Sequence, residues 1–431
     1  MNSYNMNTVG IDIDIDNSHF FRSIYSNFGY VSHSNVDFMS TFRKFVETCK
    51  ENTTDCTMVY YLFSFVAHVR DIATGKGQRS ISYAMLYILY DSFPSFTVFL
   101  FRRFLDTYGS LRDIKGICRF FSSELSIHDH PLLNVAIFSF ISILRKSSSS
   151  DAKRLLKWVP KEQWIHSRFP YLKSYIQKAK LAPLTNLHLE NVEGQYNSLQ
   201  FGYYVEFLVK QGSISNKKMK WIQRQWNSMI HSHFSSFKQA SFYPIPILPV
   251  FEISNEMTDF MVFNAIGLVC ALVQLYGSTR ILCLSHVPFW ISTESLDFTS
   301  LVFHLWSICS SRTFCHWKAG DKLLRDAFQH VDTESLDTES SIHIVLICNQ
   351  SPPLFFVPTW LLWSLTGTSM VPSYSQFCIS GIQSGLLTSL PLLHESNSQS
   401  QFVEKQLLGE RYWPLHFHLY DSIGTLGSLY L

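Results

Sequence analysis

The hydrophobic period of this chain changes once, near Tyr243, and that change limits the available folds more than any other feature. From about Val36 to Phe237, apolar residues recur at helical spacing, as in Thr57 to Val69, Ser80 to Tyr90 and Leu132 to Leu144. Polar, Gly and Pro breaks separate these blocks: Asn52 to Asp55, Gly75 to Gly77, Pro94, Ser147 to Ser150, Pro170, Pro183 and Gly212. Beyond Tyr243 the apolar runs shorten and alternate with helical patterns. Pro244 to Ile253 leads into an apolar helix over 257–276. Strand-like runs follow at Arg280 to Leu284, Ile342 to Cys348, Pro358 to Leu365 and Phe377 to Ser380, with an apolar stretch from Phe298 to Cys309 and a helix from Lys318 to His330.

The first pattern predicts stacked helical hairpins without a fixed repeat, an irregular HEAT-like array over 36–238 preceded by an extension over 1–35. The second predicts an α/β domain over 239–395, a six-stranded, doubly wound, mainly parallel sheet with helices on both faces and helix 257–276 the most buried. A tail over 396–431 packs on this body. In doubly wound sheets ligands meet the carboxyl ends of the strands, so residues 252–256 and 348–351 form the expected rim.

Composition narrows the class. Hydrophobic residues make up 46% and charged residues 16%, which excludes a disordered chain. The opening residues, Met1 to Asp16, are polar and carry no secretory pattern. The longest apolar run, Phe260 to Tyr276, is interrupted by Asn264 and Gln274 and reads as a buried helix, so no membrane is expected as a partner. Nine scattered cysteines without a CxxC pair fit reduced core positions, and the expected location is cytoplasmic, or a virion if the chain is virus-encoded. Net charge is +2, distributed as +1 over 1–150, +9 over 151–238 and −8 over 239–431. A basic centre beside an acidic third suits a polyanion-binding surface, or two domains that attract each other.

Several motifs then group. Arg70-Asp71 followed by Gly75-Lys76-Gly77-Gln78-Arg79, then Tyr108-Gly109-Ser110 with Arg112-Asp113, then Lys157-Trp158-Val159-Pro160-Lys161, resemble the TROVE module of the Ro autoantigen. They are similar also to a plant and large-DNA-virus family that joins such a module to a C-terminal von Willebrand factor A domain. Pro249 to Met257 resembles that family's Asp-x-Ser-x-Ser strand end, and Pro358 to Leu365 with Ser380-Gly381 its closing strands. The resemblance runs from about residue 36 to 395. It implies RNA binding by the array, a von Willebrand A-like sheet and an adhesion site for magnesium. The positions available for that site are Glu252, Ser254, Glu256, Thr313 and Asn349. Glu252 lengthens the first carboxylate, Glu256 replaces a hydroxyl and Asn349 removes a charge. Magnesium demands near-ideal octahedral oxygen geometry, so the expectation is a degenerate, metal-free rim with no cofactor.

The candidate RNA contacts are Arg70, Lys76, Arg79, Lys153, Arg154, Lys157 and Lys161. Gly permits close backbone approach to a phosphate beside a helix N-terminus. The other reading of Gly75 to Arg79 is a turn with Lys76 and Arg79 solvated. Over 153–180, cations alternate with Trp158, Trp164, Phe169, Tyr171 and Tyr175, which suits phosphate pairing with base stacking or a helical core. Lys217, Lys218, Lys220 and Arg224 with Trp221 and Trp226 read the same way. His128-Asp129-His130 and His231-Ser232-His233 lack a third ligand at zinc spacing. No nucleophile elbow is present. The expected function is a non-enzymatic RNA-binding or ribonucleoprotein scaffold whose A-type domain docks a protein. The alternative is a structural or assembly protein working through protein contacts alone. The oligomeric state is left open.

Overall fold

The computed structural model describes residues 36–51, 56–147, 155–181, 201–210, 216–239, 246–294, 296–309, 315, 317–329, 343–349, 359–365, 375–381 and 384–419. It is a mixed α/β protein, with helices in the N-terminal half and a mostly parallel six-stranded sheet in the C-terminal half.

The helical half runs α1 (Val36–Glu51), α2 (Cys56–Arg70), α3 (Ser80–Ser92), α4 (Pro94–Arg103), α5 (Arg112–Arg119), α6 (Pro131–Lys146), α7 (Gln163–Arg168), α8 (Pro170–Leu181), α9 (Gly202–Lys210) and α10 (Asn216–Gln239). Two of the expected breaks, Pro94 and Pro170, act as helix starts, as does Pro131; Asn52 to Asp55, Pro183 and Gly212 lie outside the described residues. Pro94, Pro131 and Pro170 each occupy a first helical position, where the missing N–H costs nothing. His130 caps α6 by accepting the Leu132 N–H. Two helices end in wider π turns, Phe104–Tyr108 after α4 and Phe120–Glu124 after α5. The first of these puts the Tyr108 carbonyl on the Ile72 N–H.

The sheet half runs β1 (Ile247–Glu252), α11 (Asp259–Tyr276), β2 (Arg280–Leu284), β3 (Phe289–Ser292), α12 (Phe298–Cys309), α13 (Trp317–Gln329), β4 (His343–Cys348), β5 (Thr359–Ser364), β6 (Ser375–Ser380), α14 (Leu390–His394) and α15 (Gln399–Leu407). Strand order is β3-β2-β1-β4-β5-β6, parallel except for the antiparallel edge strand β3. The short β3, directly after Pro288, escapes a sequence reading that looks for longer alternating runs. The apolar stretch from Phe298 to Cys309 is helical.

Period-2 geometry sorts the strand residues onto two faces. Leu248, Val250, Leu282, Leu284, Ile344, Leu346, Cys348, Leu362 and Cys378 form one cluster, closed by Leu324 of α13. Phe251, Ile281, Val345, Ile347, Leu361, Trp363, Phe377 and Ile379 face the other way, into a core that runs on through α11 and the helical half from Phe42 to Leu419. Both faces being covered explains why the strands read as continuous apolar runs. α11 is long and apolar enough to cross a bilayer by length and composition alone, and it lies in this core between the sheet, α9 and α12.

α9 and α10 lie on the array side of the expected boundary at 238, yet they pack on α11 and α12. Trp226 of α10 is fully buried, stacks on Phe298 at 3.9 Å between ring centroids and donates to Gln274 Oε1 at 2.7 Å. Gly202 N donates to Asn264 Oδ1 at 2.8 Å. At Gly267 a Cβ would come 2.3 Å from the Phe201 carbonyl oxygen, so α9 and α11 touch backbone to backbone. Replacing Gly267 by Ala is expected to lower unfolding free energy by about 1–3 kcal/mol through overpacking, read as a lower urea midpoint at unchanged slope.

Candidate functional site

Three groups of polar residues stand out. The first is a buried hub at the end of α2. Arg70 and Asp71 are adjacent, fully buried and committed in different directions. Arg70 donates through Nε to Asp113 Oδ1 at 2.7 Å and through Nη2 to Asp113 Oδ2 at 2.6 Å. Asp113 also accepts from the Tyr83 hydroxyl at 2.5 Å and the Ser110 N–H at 2.7 Å. Gly109 permits this closure, since a Cβ there would meet Asp113 Oδ2 at 2.4 Å. Asp71 accepts from Arg411 Nε, from Arg411 Nη2 at 2.8 Å, from Thr74 Oγ1 at 2.7 Å and from the Ala73 N–H at 2.9 Å. Tyr412 lies between Asp71 and His68, its hydroxyl 3.3 Å from Asp71 Oδ2 and 3.0 Å from His68 Nδ1.

This hub corrects two expectations. Lys76 is 1% exposed and Arg70 is 0% exposed, so neither is a solvated turn residue or an open phosphate contact. Burial drives the Lys76 amine well below the lysine range, with Cys378 of β6 opposing the shift. Arg79 alone of the three is exposed. The loop from 71 to 79 is folded inward because its N–H groups turn back on α2: Lys76 N to His68 O at 3.0 Å, Gly77 N to Asp71 O at 3.0 Å and Gln78 N to Val69 O at 2.9 Å.

The second group is an exposed basic and aromatic face. Trp158 is half-buried, with the Arg112 guanidinium 4.9 Å and Lys157 Nζ 5.0 Å from its ring centroid. Lys161 is exposed, as are Arg112 and Lys157; Lys153 and Arg154 lie outside the described residues. Tyr175 carries Arg145 at 5.0 Å and Lys178 at 5.9 Å, and Tyr171 is 63% exposed. Arg168 instead joins the core fold, donating to Asp129, to Asn134 Oδ1 at 3.2 Å and to the His128 carbonyl at 2.5 Å. On α10 the two tryptophans part ways. Trp226 is core, while Trp221 is 50% exposed among exposed Lys217, Lys220 and Arg224 at helical spacing.

The third group sits where the strand order reverses, between β1 and β4. Glu252 Oε2 accepts the Asn349 N–H at 2.8 Å, and Ser364 Oγ donates to the Asn349 carbonyl at 3.2 Å. Glu252, Ser254 and Asn349 are buried; Glu256 is exposed and Thr313 lies outside the described residues. Burial raises the Glu252 pKa, opposed by the Ser254 hydroxyl and the Asn349 N–H and reinforced by Glu256. A carboxylate closed in by a backbone N–H, with its neighbour Glu256 turned to solvent, does not fit the oxygen cage that magnesium requires. Among the described residues no three His, Cys, Asp or Glu side chains are placed to hold a metal. His130 serves as a helix cap among Tyr90, Tyr87 and Phe121, and His128 packs on Trp164.

Sequence reading missed Arg411 and Tyr412. No local pattern marks them, because their partners are about 340 residues away and only the fold brings them together. Arg145 was also missed; its aromatic partner Tyr175 is on a different helix. No protein-family model matches this chain, and no curated protein matches it in sequence.

Removing Arg411 leaves Asp71 buried with only neutral donors. Arg411→Ala is therefore expected to cost about 3 kcal/mol, the low end for breaking a buried pair because Thr74 and Ala73 remain. Limited proteolysis is expected to cut within 399–419 sooner than in the wild type. A second expectation concerns acid. Burial lowers the pKa of His68 and of His394 to about 3, with Lys76 adding to the first and His343 to the second. The unfolded chain binds those protons more readily, so the stability both neutral rings supply is full above about pH 6.5 and is lost as pH falls toward 3. His394→Phe keeps a ring against Trp360 and is expected to flatten the pH dependence of Tm across that window.

Proposed function

We propose that this chain is a non-enzymatic RNA-binding scaffold, a TROVE-like, HEAT-like helical array joined to a von Willebrand A-like domain that docks a protein. The order β3-β2-β1-β4-β5-β6 with one antiparallel edge strand and helices on both faces supports the A-type reading. The rim, where Glu252 is closed onto the Asn349 N–H, is consistent with docking through surface shape.

The observation that carries the RNA reading is Trp221. A fully buried tryptophan five residues on already anchors α10, so the core has no need of a second, half-exposed one. Placed between Lys217, Lys220 and Arg224, its ring offers a base-stacking surface flanked by phosphate partners. Trp158 with Arg112 and Lys157 repeats the chemistry on the array. α10 meets the acidic half through amides and rings: Gln223 Oε1 accepts from Thr299, and Gln274 and Trp226 bond each other. Among the described residues, Lys217, Lys220, Trp221 and Arg224 lie outside that contact, which favours an outside polyanion over pairing of the two halves.

Filter binding of single-stranded RNA by the full chain over a salt series is the test. Replacing Lys217, Lys220 and Arg224 by Ala is expected to reduce the log–log salt slope by about 2, at about 0.7 per phosphate contact. Trp221→Ala is expected to weaken binding by about 1–3 kcal/mol with the slope unchanged. No RNA retained by the wild type at low salt would overturn the reading in favour of an assembly protein acting through protein contacts.

A further inference from the structure

The geometry points to an anion site where the N-termini of α3 and α5 meet, in which exposed Arg79 and Arg112 take a phosphoryl group in front of the buried guanidinium of Arg70. The RNA reading bears on this site only through the source of the phosphoryl group.

Three guanidiniums gather here around one carboxylate. Asp113 is bidentate to Arg70 and accepts from Tyr83 and Ser110, which fills its oxygens. Arg112 is its chain neighbour and the first residue of α5. Arg79 immediately precedes α3, one turn before Tyr83, and its carbonyl accepts the Tyr83 N–H at 3.0 Å. Neither Arg79 nor Arg112 forms an ion pair among the described residues; Arg112 lies over Trp158, and Arg79 is partly exposed beside Arg70 and Asp113. The cluster therefore holds two positive charges beyond what Asp113 neutralises.

Arg70 supplies the second observation. It uses Nε and Nη2 on Asp113, while Nη1 is buried without a hydrogen-bond partner among the described residues. A buried charged donor left without a partner costs more than a neutral one, so an acceptor is owed at this position. The two helices also lack side-chain caps at Arg79 and Leu111, leaving N-terminal N–H groups that favour negative charge. Desolvation, then the like charges of Arg70 and Arg112, lower the Arg79 pKa, with Asp113 opposing. An oxyanion with several acceptor atoms answers all of these at once. Phosphoryl groups match the planar guanidinium forks better than a halide does. The source is an RNA phosphodiester or a free phosphate, and the experiment separates the two.

The experiment uses the full chain and the double substitution Arg79→Ala/Arg112→Ala. Both side chains are exposed, so the fold is retained, and each single substitution is expected to give half the effect. Thermal unfolding is followed with added inorganic phosphate and pyrophosphate, against chloride at equal ionic strength. RNA binding is followed as a salt series. If RNA is the source, the double variant loses about 1.4 from the salt slope, and phosphate competes with RNA on the wild type. If free phosphate is the source, phosphate raises the wild-type Tm but not the variant's, and the single substitution Arg79→Ala leaves the RNA slope unchanged. A variant that matches the wild type with every probe overturns the site and leaves the Trp221 surface untouched. A wild type that binds no RNA, yet gains phosphate stabilisation that the variant lacks, removes the RNA reading and keeps the site.

Discussion

The fold turns on two adjacent residues of opposite charge, Arg70 and Asp71, both removed from water at the end of α2. Burying one charge without a partner is prohibitive, and burying two consecutive ones forces the chain to deliver partners from two directions. Asp113 arrives from the array, 43 residues on, and Arg411 from the far end of the chain, 340 residues on. A buried ion pair is weak evidence for net stability, because desolvation offsets much of the attraction. It is strong evidence for register. α5 can sit against α2 in only one way that satisfies Arg70, and the segment after α15 can return to the array in only one way that satisfies Asp71. The Tyr60 hydroxyl bonded to the Leu407 carbonyl, and the Tyr108 hydroxyl to the Arg411 carbonyl, extend the same seam.

That seam explains why the two halves share a core. Lys76, carried by the loop that Asp71 organises, is buried near Cys378 of β6, and α15 packs on both α2 and β6. Gln399 of α15 bonds the backbone of Cys378 from both sides, donating to its carbonyl and accepting from its N–H, each at 2.9 Å. A β6 edge paired by a side-chain amide is not available for strand addition at that point. Contacts of this kind make the last helices part of the body, so a break at Arg411 is felt on both the array and the sheet.

Much of this architecture was legible in the sequence because it rests on local periodicity. The apolar runs at 280–284, 343–348 and 359–364 become strands, and the interrupted run at 260–276 becomes the buried helix. The positions at the strand switch were also legible, since Glu252 and Asn349 are brought together there. Other features depend on distant partners. Lys76 between two glycines has the look of a solvated turn, and only the return of β6 and the C-terminal helices buries it. Trp221 and Trp226 are equivalent in a sequence window; five residues at about 100° each turn them about 140° apart on the helix, one to the core and one to solvent. β3 is too short, and follows a proline too closely, for its pairing with β2 to show in advance.

The cations divide by the same logic, and the division bears on function. Arg168, Arg325 and Arg411 each end on a carboxylate or carbonyl of this chain and help to fix a contact. Arg79, Arg112, Lys217, Lys220, Trp221 and Arg224 are exposed, and among the described residues the cations of this group pair with no carboxylate. Isolated surface pairs are worth little, so a fold gains almost nothing by supplying such partners, and solvation alone explains any single one of these residues. It does not explain why the exposed rings stand beside the unneutralised cations. A ring at 50% exposure forgoes burial that Trp226 obtains on the same helix, and cation–ring contacts at Trp158 hold Arg112 and Lys157 on a common surface. Rings and cations kept together in solvent are the arrangement on which the proposed base stacking and phosphate pairing rest.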